Sequence, residues 1–117
     1  MSPRVAGIII DSADLDGAAR FWGTLLDLKV TSRADDWLDL ERLGPDGPML
    51  SFQRVPERKK GKNRLHFDLD VPDLAAATAL AGELGGRPAS GVQGAPAAPW
   101  QVWRDPEGNE FCLITEG

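Results

Sequence analysis

The sequence predicts an α+β fold: two tandem βαβββ modules forming a curved mixed sheet around a central cleft. Three observations predict it. The chain repeats itself, because Ile8-Ile9-Ile10-Asp11-Ser12-Ala13-Asp14-Leu15 aligns with Phe67-Asp68-Leu69-Asp70-Val71-Pro72-Asp73-Leu74. Both stretches read as an apolar strand, an acidic turn and Asp-Leu opening an Ala-rich helix. The ends repeat as well, with Gly44-Pro45-Asp46-Gly47 matching Asp105-Pro106-Glu107-Gly108 ahead of an apolar strand. Finally, the order strand, helix, three strands fits each half, so each half must bury the same kind of face.

The elements follow in order. Residues 5–11 are rich in β-branched side chains and read as a strand. Asp14 suits the N-cap or first turn of a helix. Leu15, Ala18, Trp22, Leu25 and Leu26 recur at helical spacing and form one apolar face. Residues 28–33 and 37–42 are the next strands, the second with Leu38 and Leu40 on one side and Trp37, Asp39 and Glu41 on the other. Gly44-Pro45-Asp46-Gly47-Pro48 is a turn, and residues 49–55 form the fourth strand.

The second half runs the same way. Residues 64–71 read as a strand, and Pro72-Asp73 opens a helix that buries Leu74, Ala77, Ala81 and Leu84. Gly85-Gly86 ends it. A short strand is expected near residues 87–89, and the Gly, Ala and Pro of residues 90–99 read as a loop. Residues 100–104 and 110–115 are strands joined by the Asp-Pro-Glu-Gly-Asn turn. One domain, 1–117, is therefore expected, with module one at 4–55, a basic linker at 56–62 and module two at 63–116.

Composition narrows the function. At 117 residues with 42% apolar content, the chain is of ordinary globular make-up. It has no apolar run near the about 20 residues of a membrane span, and Met1-Ser2-Pro3-Arg4 carries no signal-peptide pattern. Membrane association is not expected. A lone cysteine, Cys112, allows no internal disulfide and makes a reducing cytoplasm the expected location. Residues 54–64 hold six basic residues and one acidic residue, a net +5 within a total of −5, leaving −10 elsewhere. That acidic body argues against nucleic-acid binding and suits a cationic ligand. The basic stretch reads as a solvated linker or as a clamp for a phosphate or carboxylate.

Three stretches carry a resemblance. They are Asp14-Leu15 with Phe21-Trp22; Leu65-His66-Phe67-Asp68-Leu69-Asp70-Val71-Pro72-Asp73; and Trp103-Arg104-Asp105-Pro106-Glu107-Gly108-Asn109-Glu110-Phe111-Cys112-Leu113-Ile114. Together they resemble the vicinal oxygen chelate superfamily of glyoxalases, extradiol dioxygenases and bleomycin-resistance proteins, and in particular its small bacterial glyoxalase-like members. The resemblance implies metal-ligand positions on the first and last strands of each module. These fall on Gly7, Ser51, His66 and Cys112. A catalytic divalent site usually needs at least three protein ligands. Gly7 has no donor and Ser51 is a poor one, so no native catalytic metal is expected. Asp68 or Gln53 can supply an oxygen if the geometry shifts, which leaves room for an adventitious or atypical divalent ion.

His66 is the only histidine and the simplest general acid or base near neutral pH. Asp68, two residues on, shares its side of the strand. His66 reads equally as a hydrogen-bonded structural residue. Cys112 points to the same hollow, either as part of a Cys–His pair or as a small buried hydrophobe. The ligand pocket is expected to comprise Trp37, Ser51, Gln53, His66, Asp68, Trp100, Trp103 and Cys112. Of Trp100 and Trp103 one faces in, and a bulge near the turn decides which.

The expected function is binding of a small molecule, aromatic or cationic, in the cleft, as in the bleomycin-resistance branch. The alternative is a glyoxalase-type lyase or isomerase using His66 and Cys112, or a metal-free catalyst using His66 and Asp68. A third reading is an interaction module with a vestigial hollow. The resemblance also implies a homodimer.

Overall fold

The computed structural model describes residues 5–57, 60–61 and 66–115. The chain divides into two compact units, Met1–Arg58 and Lys59–Gly117. Each has one helix and one four-stranded mixed sheet, in the order strand, helix, three strands.

The first unit contains β1 (Gly7–Ser12), α1 (Leu15–Leu26), β2 (Val30–Arg33), β3 (Trp37–Arg42) and β4 (Met49–Arg54). Its strands lie in the order β1-β4-β3-β2, with β1 parallel to β4 and the other pairs antiparallel. The Asp14 side chain caps α1 by accepting from the Gly17 N–H at 3.1 Å. The helix stops at Asp27, which takes left-handed geometry at φ 55°, a conformation that a short polar side chain tolerates. The Leu28 N–H then donates to the Gly23 carbonyl at 2.8 Å. Glycine is needed there, because a Cβ would sit 2.8 Å from the Leu28 oxygen.

Strand alternation sorts this unit's side chains into two faces. Leu38, Leu40, Leu50 and Phe52 are buried, as are Leu15, Ala18, Phe21 and Trp22 of α1, which packs on β3 and β4. Phe21 and Trp22 meet edge to face at 5.2 Å. Trp37, Asp39, Ser51 and Gln53 occupy the opposite face, with Trp37 paired to Gln53 and Asp39 to Ser51.

The second unit contains β5 (Phe67–Asp70), α2 (Leu74–Glu83), β6 (Arg87–Pro88), β7 (Trp100–Arg104) and β8 (Glu110–Ile114). Its order, β5-β8-β7-β6, reproduces that of the first sheet, again with the outer first strand parallel to the last. Asp73 caps α2 through the Ala75 N–H at 3.0 Å. Gly85 takes φ 93°, and the Gly86 N–H closes the helix end on the Ala81 carbonyl. Ala81, Leu84, Trp103, Phe111 and Leu113 are buried.

The Asp-Pro-Glu-Gly-Asn turn is built on its first residue. The Asp105 carboxylate is only 3% exposed. It accepts from the Glu107 N–H at 3.0 Å, the Asn109 N–H at 2.7 Å and the Asn109 amide at 3.0 Å. Gly108 supplies the positive φ, 88°.

Some expected bounds shift. The strand expected at residues 28–33 begins at Val30, because the Leu28 N–H is taken up in closing α1. The strand expected at residues 64–71 is described as Phe67–Asp70, so His66 lies just before it. Arg64 and Leu65 lie outside the described residues, as do Arg58, Lys59 and Lys62 of the basic stretch. No helix among the described residues is long and apolar enough to cross a membrane.

Candidate functional site

Alternation along β5 and β8 places the chemistry of the second unit. Phe67, Leu69, Phe111 and Leu113 point to the α2 side, and the last two are fully buried. Asp68 and Cys112 therefore point the other way, and they are register partners across the parallel pair. His66 joins them. Its Nε2 lies 3.5 Å from Asp68 Oδ1, with 57% and 56% of the two side chains exposed. One donor atom from each of His66, Asp68 and Cys112 falls within 4.8 Å of the others.

The electrostatics of this group are one-sided. Burial pushes the Cys112 thiol up from its ordinary pKa. The Asp68 charge, a hydrogen bond from the thiol to Asp68, and the Glu110 charge push it further. The thiol is therefore neutral at physiological pH and serves as a hydrogen-bond donor. A Cys–His nucleophile instead needs the imidazole to take the thiol's proton. The raised thiol pKa lowers the thiolate fraction available at Cys112.

Trp100 and Trp103 separate cleanly. The pairing of β7 with β8 runs without a bulge, from Trp100 opposite Ile114 to Arg104 opposite Glu110. Trp103 pairs with Phe111, is 5% exposed, and belongs to the covered face. Its indole N–H donates to the Gln101 side chain at 2.8 Å. Trp103 is thus a core residue and not a pocket residue, which corrects its inclusion among the expected ligand contacts. Trp100 shares the Cys112 face and is partly exposed. Gly94 presses against its indole, since a Cβ there would meet Trp100 Cδ1 at 2.8 Å.

In the first unit, Trp37, Ser51 and Gln53 come together on one face. Asp39, absent from the expected site, organises them. Its Oδ1 accepts from the Trp37 indole at 2.7 Å and from the Ser51 hydroxyl at 2.5 Å. Ser51 is 3% exposed.

This tests the four positions to which the resemblance assigns metal ligands. Gly7 brings no side chain, and the Ser51 hydroxyl is buried and committed to Asp39. The four-position ligand set does not fit this chain. Among the described residues, the one His, Cys and carboxylate cluster of metal-binding spacing is His66, Asp68 and Cys112.

A concavity of about 710 Å³ lies elsewhere in the second unit, bordered by Leu74, Thr78, Val92, Pro99 and Gln101 among others. None of the expected site residues borders it. Its buried polar side chain, Gln101, is satisfied by the Ser90 carbonyl and the Trp103 indole.

Comparison with known proteins agrees with this fold. A chain from Burkholderia phytofirmans, described as a glyoxalase/bleomycin resistance protein/dioxygenase family enzyme, is similar with a TM-score of 0.80 at 13% identity, covering 97% of this chain and 98% of that one. The fosfomycin resistance protein FosX from Mesorhizobium loti is similar with a TM-score of 0.77 at 13% identity, covering 100% and 95%. The oxidase ChaP-H2 is similar with a TM-score of 0.72 at 17% identity, covering 100% and 96%. At such identities the likeness is one of fold. No curated protein matches the chain in sequence. The sequence pattern of the glyoxalase-like domain matches residues 7–114. With that match spanning both βαβββ units, the chain belongs to the glyoxalase-like domain family, within the vicinal oxygen chelate superfamily.

Proposed function

We propose that the protein binds a small aromatic or cationic molecule at the face of the second sheet that carries His66, Asp68 and Cys112. In this reading it uses no catalytic metal at the family's four positions. The observation that carries it is the cluster itself: an imidazole, a carboxylate and a thiol within 4.8 Å, on the face turned away from α2. Convergent polar groups of this kind fix the orientation of a ligand. Asp70 is exposed on the same face as Asp68, within a chain of net charge −5. Such a face attracts a cation, and Trp100 beside it offers a stacking surface.

A glyoxalase-type lyase or isomerase is the second reading. One observation favours it, the 3.5 Å spacing of His66 Nε2 and Asp68 Oδ1. Such a pair can take a proton from a bound substrate and return it at another atom. A homodimer accords with the edge position of β1 and with Ile9 on it, an exposed apolar side chain.

The test uses tag-free protein with excess chelator and two planar aromatic cations, proflavine and ethidium, followed by fluorescence. Saturable one-to-one binding of either, weakened at least severalfold in Asp68→Asn, supports the binding reading. Failure of both dyes to saturate, or equal affinity in Asp68→Asn, sinks it.

A further inference from the structure

The helices of the two units differ in bulk. Aligned on Leu15 and Leu74, α1 places Phe21 and Trp22 where α2 places Leu80 and Ala81. Leu15, Phe21 and Trp22 are at most 2% exposed, whereas Leu74 and Leu80 are only half-buried. The connections differ too. Residues 34–36 join β2 to β3, but the longer segment 89–99 joins β6 to β7. Smaller helix side chains and a longer loop leave open space beside the first turn of α2. This space is the concavity of about 710 Å³ bordered by Leu74, Val92 and Pro99. It lies on the α2 side of the second sheet, because Gln101 in its lining is the register partner of buried Leu113. Asp68 and Cys112 occupy the opposite face. Its loop wall is pinned to β7. Gln93 and Trp100 exchange backbone bonds, the Ala89 N–H donates to the Val102 carbonyl, and the Val102 N–H donates to the Ser90 hydroxyl.

We infer that this groove is a second binding site, for a compact, mostly apolar alcohol. Its volume falls within the about 300–1,000 Å³ of small-molecule pockets. Its apolar lining gives the body of such a ligand a partner, and Val92, 61% exposed without one, gains by being covered. The polar atoms select the head group. The Thr78 hydroxyl donates to the Ala75 carbonyl at 3.0 Å, and the Thr115 hydroxyl donates to the Pro99 carbonyl at 2.8 Å. With their protons spent, both oxygens are left as acceptors. The Asp73 carboxylate is an acceptor too, and it caps α2 through the Ala75 N–H. The positive end of α2 and the negative carboxylate that caps it lie together, so the groove favours neither sign of charge. A neutral group that donates a hydrogen bond is the complement.

This site shares no side chain with the function proposed above, and either can fail alone. The test is a ¹H–¹⁵N NMR titration of the full-length protein with menthol and with menthone, which has the same skeleton but only a carbonyl acceptor. The expected result is saturable shifts at the Val92 and Thr78 amides and the Gln101 side chain, with the Asp68 and Cys112 amides unmoved. Menthol should bind severalfold more tightly than menthone, the worth of one hydrogen bond. Ala75→Trp, at an exposed position of α2 that borders the groove, fills the space and abolishes saturation. Asp68→Asn leaves menthol binding unchanged, and circular dichroism confirms that both variants are folded. Absence of saturable shifts with menthol in the wild type overturns the inference. So do equal affinities for menthol and menthone, or undiminished menthol binding in folded Ala75→Trp.

Discussion

Asp68 and Cys112 face one another across the parallel strands β5 and β8, and the carboxylate receives the thiol's hydrogen bond. The pairing makes the sulfur a donor and keeps its proton in place. In metal-free protein, Cys112 is therefore expected to react with iodoacetamide at pH 8 more slowly than a cysteine in an unstructured peptide. Asp68→Asn removes the charge and speeds alkylation severalfold, as mass spectrometry over time would read. Equal rates in the two proteins would contradict this account.

The same shift makes stability depend on alkaline pH. The folded thiol's pKa is raised by burial, then by Asp68, then by Glu110. Its contribution is present below the pKa of the unfolded thiol, about 8.5. It is lost as pH rises through the folded value, because the unfolded chain gives up its proton first. In metal-free protein, the urea midpoint should fall more between pH 8 and pH 10 in the wild type than in Cys112→Ser.

Asp105 is the stability-critical residue of the last turn. Asp105→Ala leaves two backbone N–H groups and the Asn109 amide without their acceptor at a site 3% exposed. The expected cost is roughly 1–3 kcal/mol by urea unfolding. Asp105→Asn, which retains one acceptor oxygen, should lose less.

The helix caps and the core should separate by size. Asp14→Ala and Asp73→Ala each remove one capping bond and should cost about 1 kcal/mol. Phe52→Ala and Phe111→Ala open cavities where the side chains are fully buried and should cost about 3–5 kcal/mol. Chemical denaturation of the four variants orders them. A cap variant as damaging as a core variant would contradict the assignment.

Much of the fold was legible from local signals. β3 and β7 run over the expected residues, because alternation and flanking turns bound them on both sides. Asp14 and Asp73 cap their helices as the repeat implies. The start of β2 was not legible, because it depends on how α1 ends, through a left-handed Asp27 rather than a glycine. Trp103 was ambiguous for a physical reason. A bulge near the turn would exchange Trp100 and Trp103 between faces, and only the register shows that β7 and β8 pair without one. Asp39 could be placed on the face of Trp37 by alternation. Its hold on Ser51 is a contact between residues twelve apart, which only strand register reveals. His66, Asp68 and Cys112 were candidates individually. That one donor atom from each lies within 4.8 Å of the others came from three-dimensional placement.

The register match between the sheets means that the molecule carries its own blank. The first unit has the same strand frame, parallel pair and cap as the second, with the donors left out. A Cβ at Gly7 meets only ordinary contacts, 3.6 Å from Ile9 and 3.7 Å from the Met49 oxygen. The backbone of the first unit therefore leaves room for a side chain at Gly7. The two copies thus share a frame and differ in side chains, with the chain's one imidazole and one thiol both in the second copy.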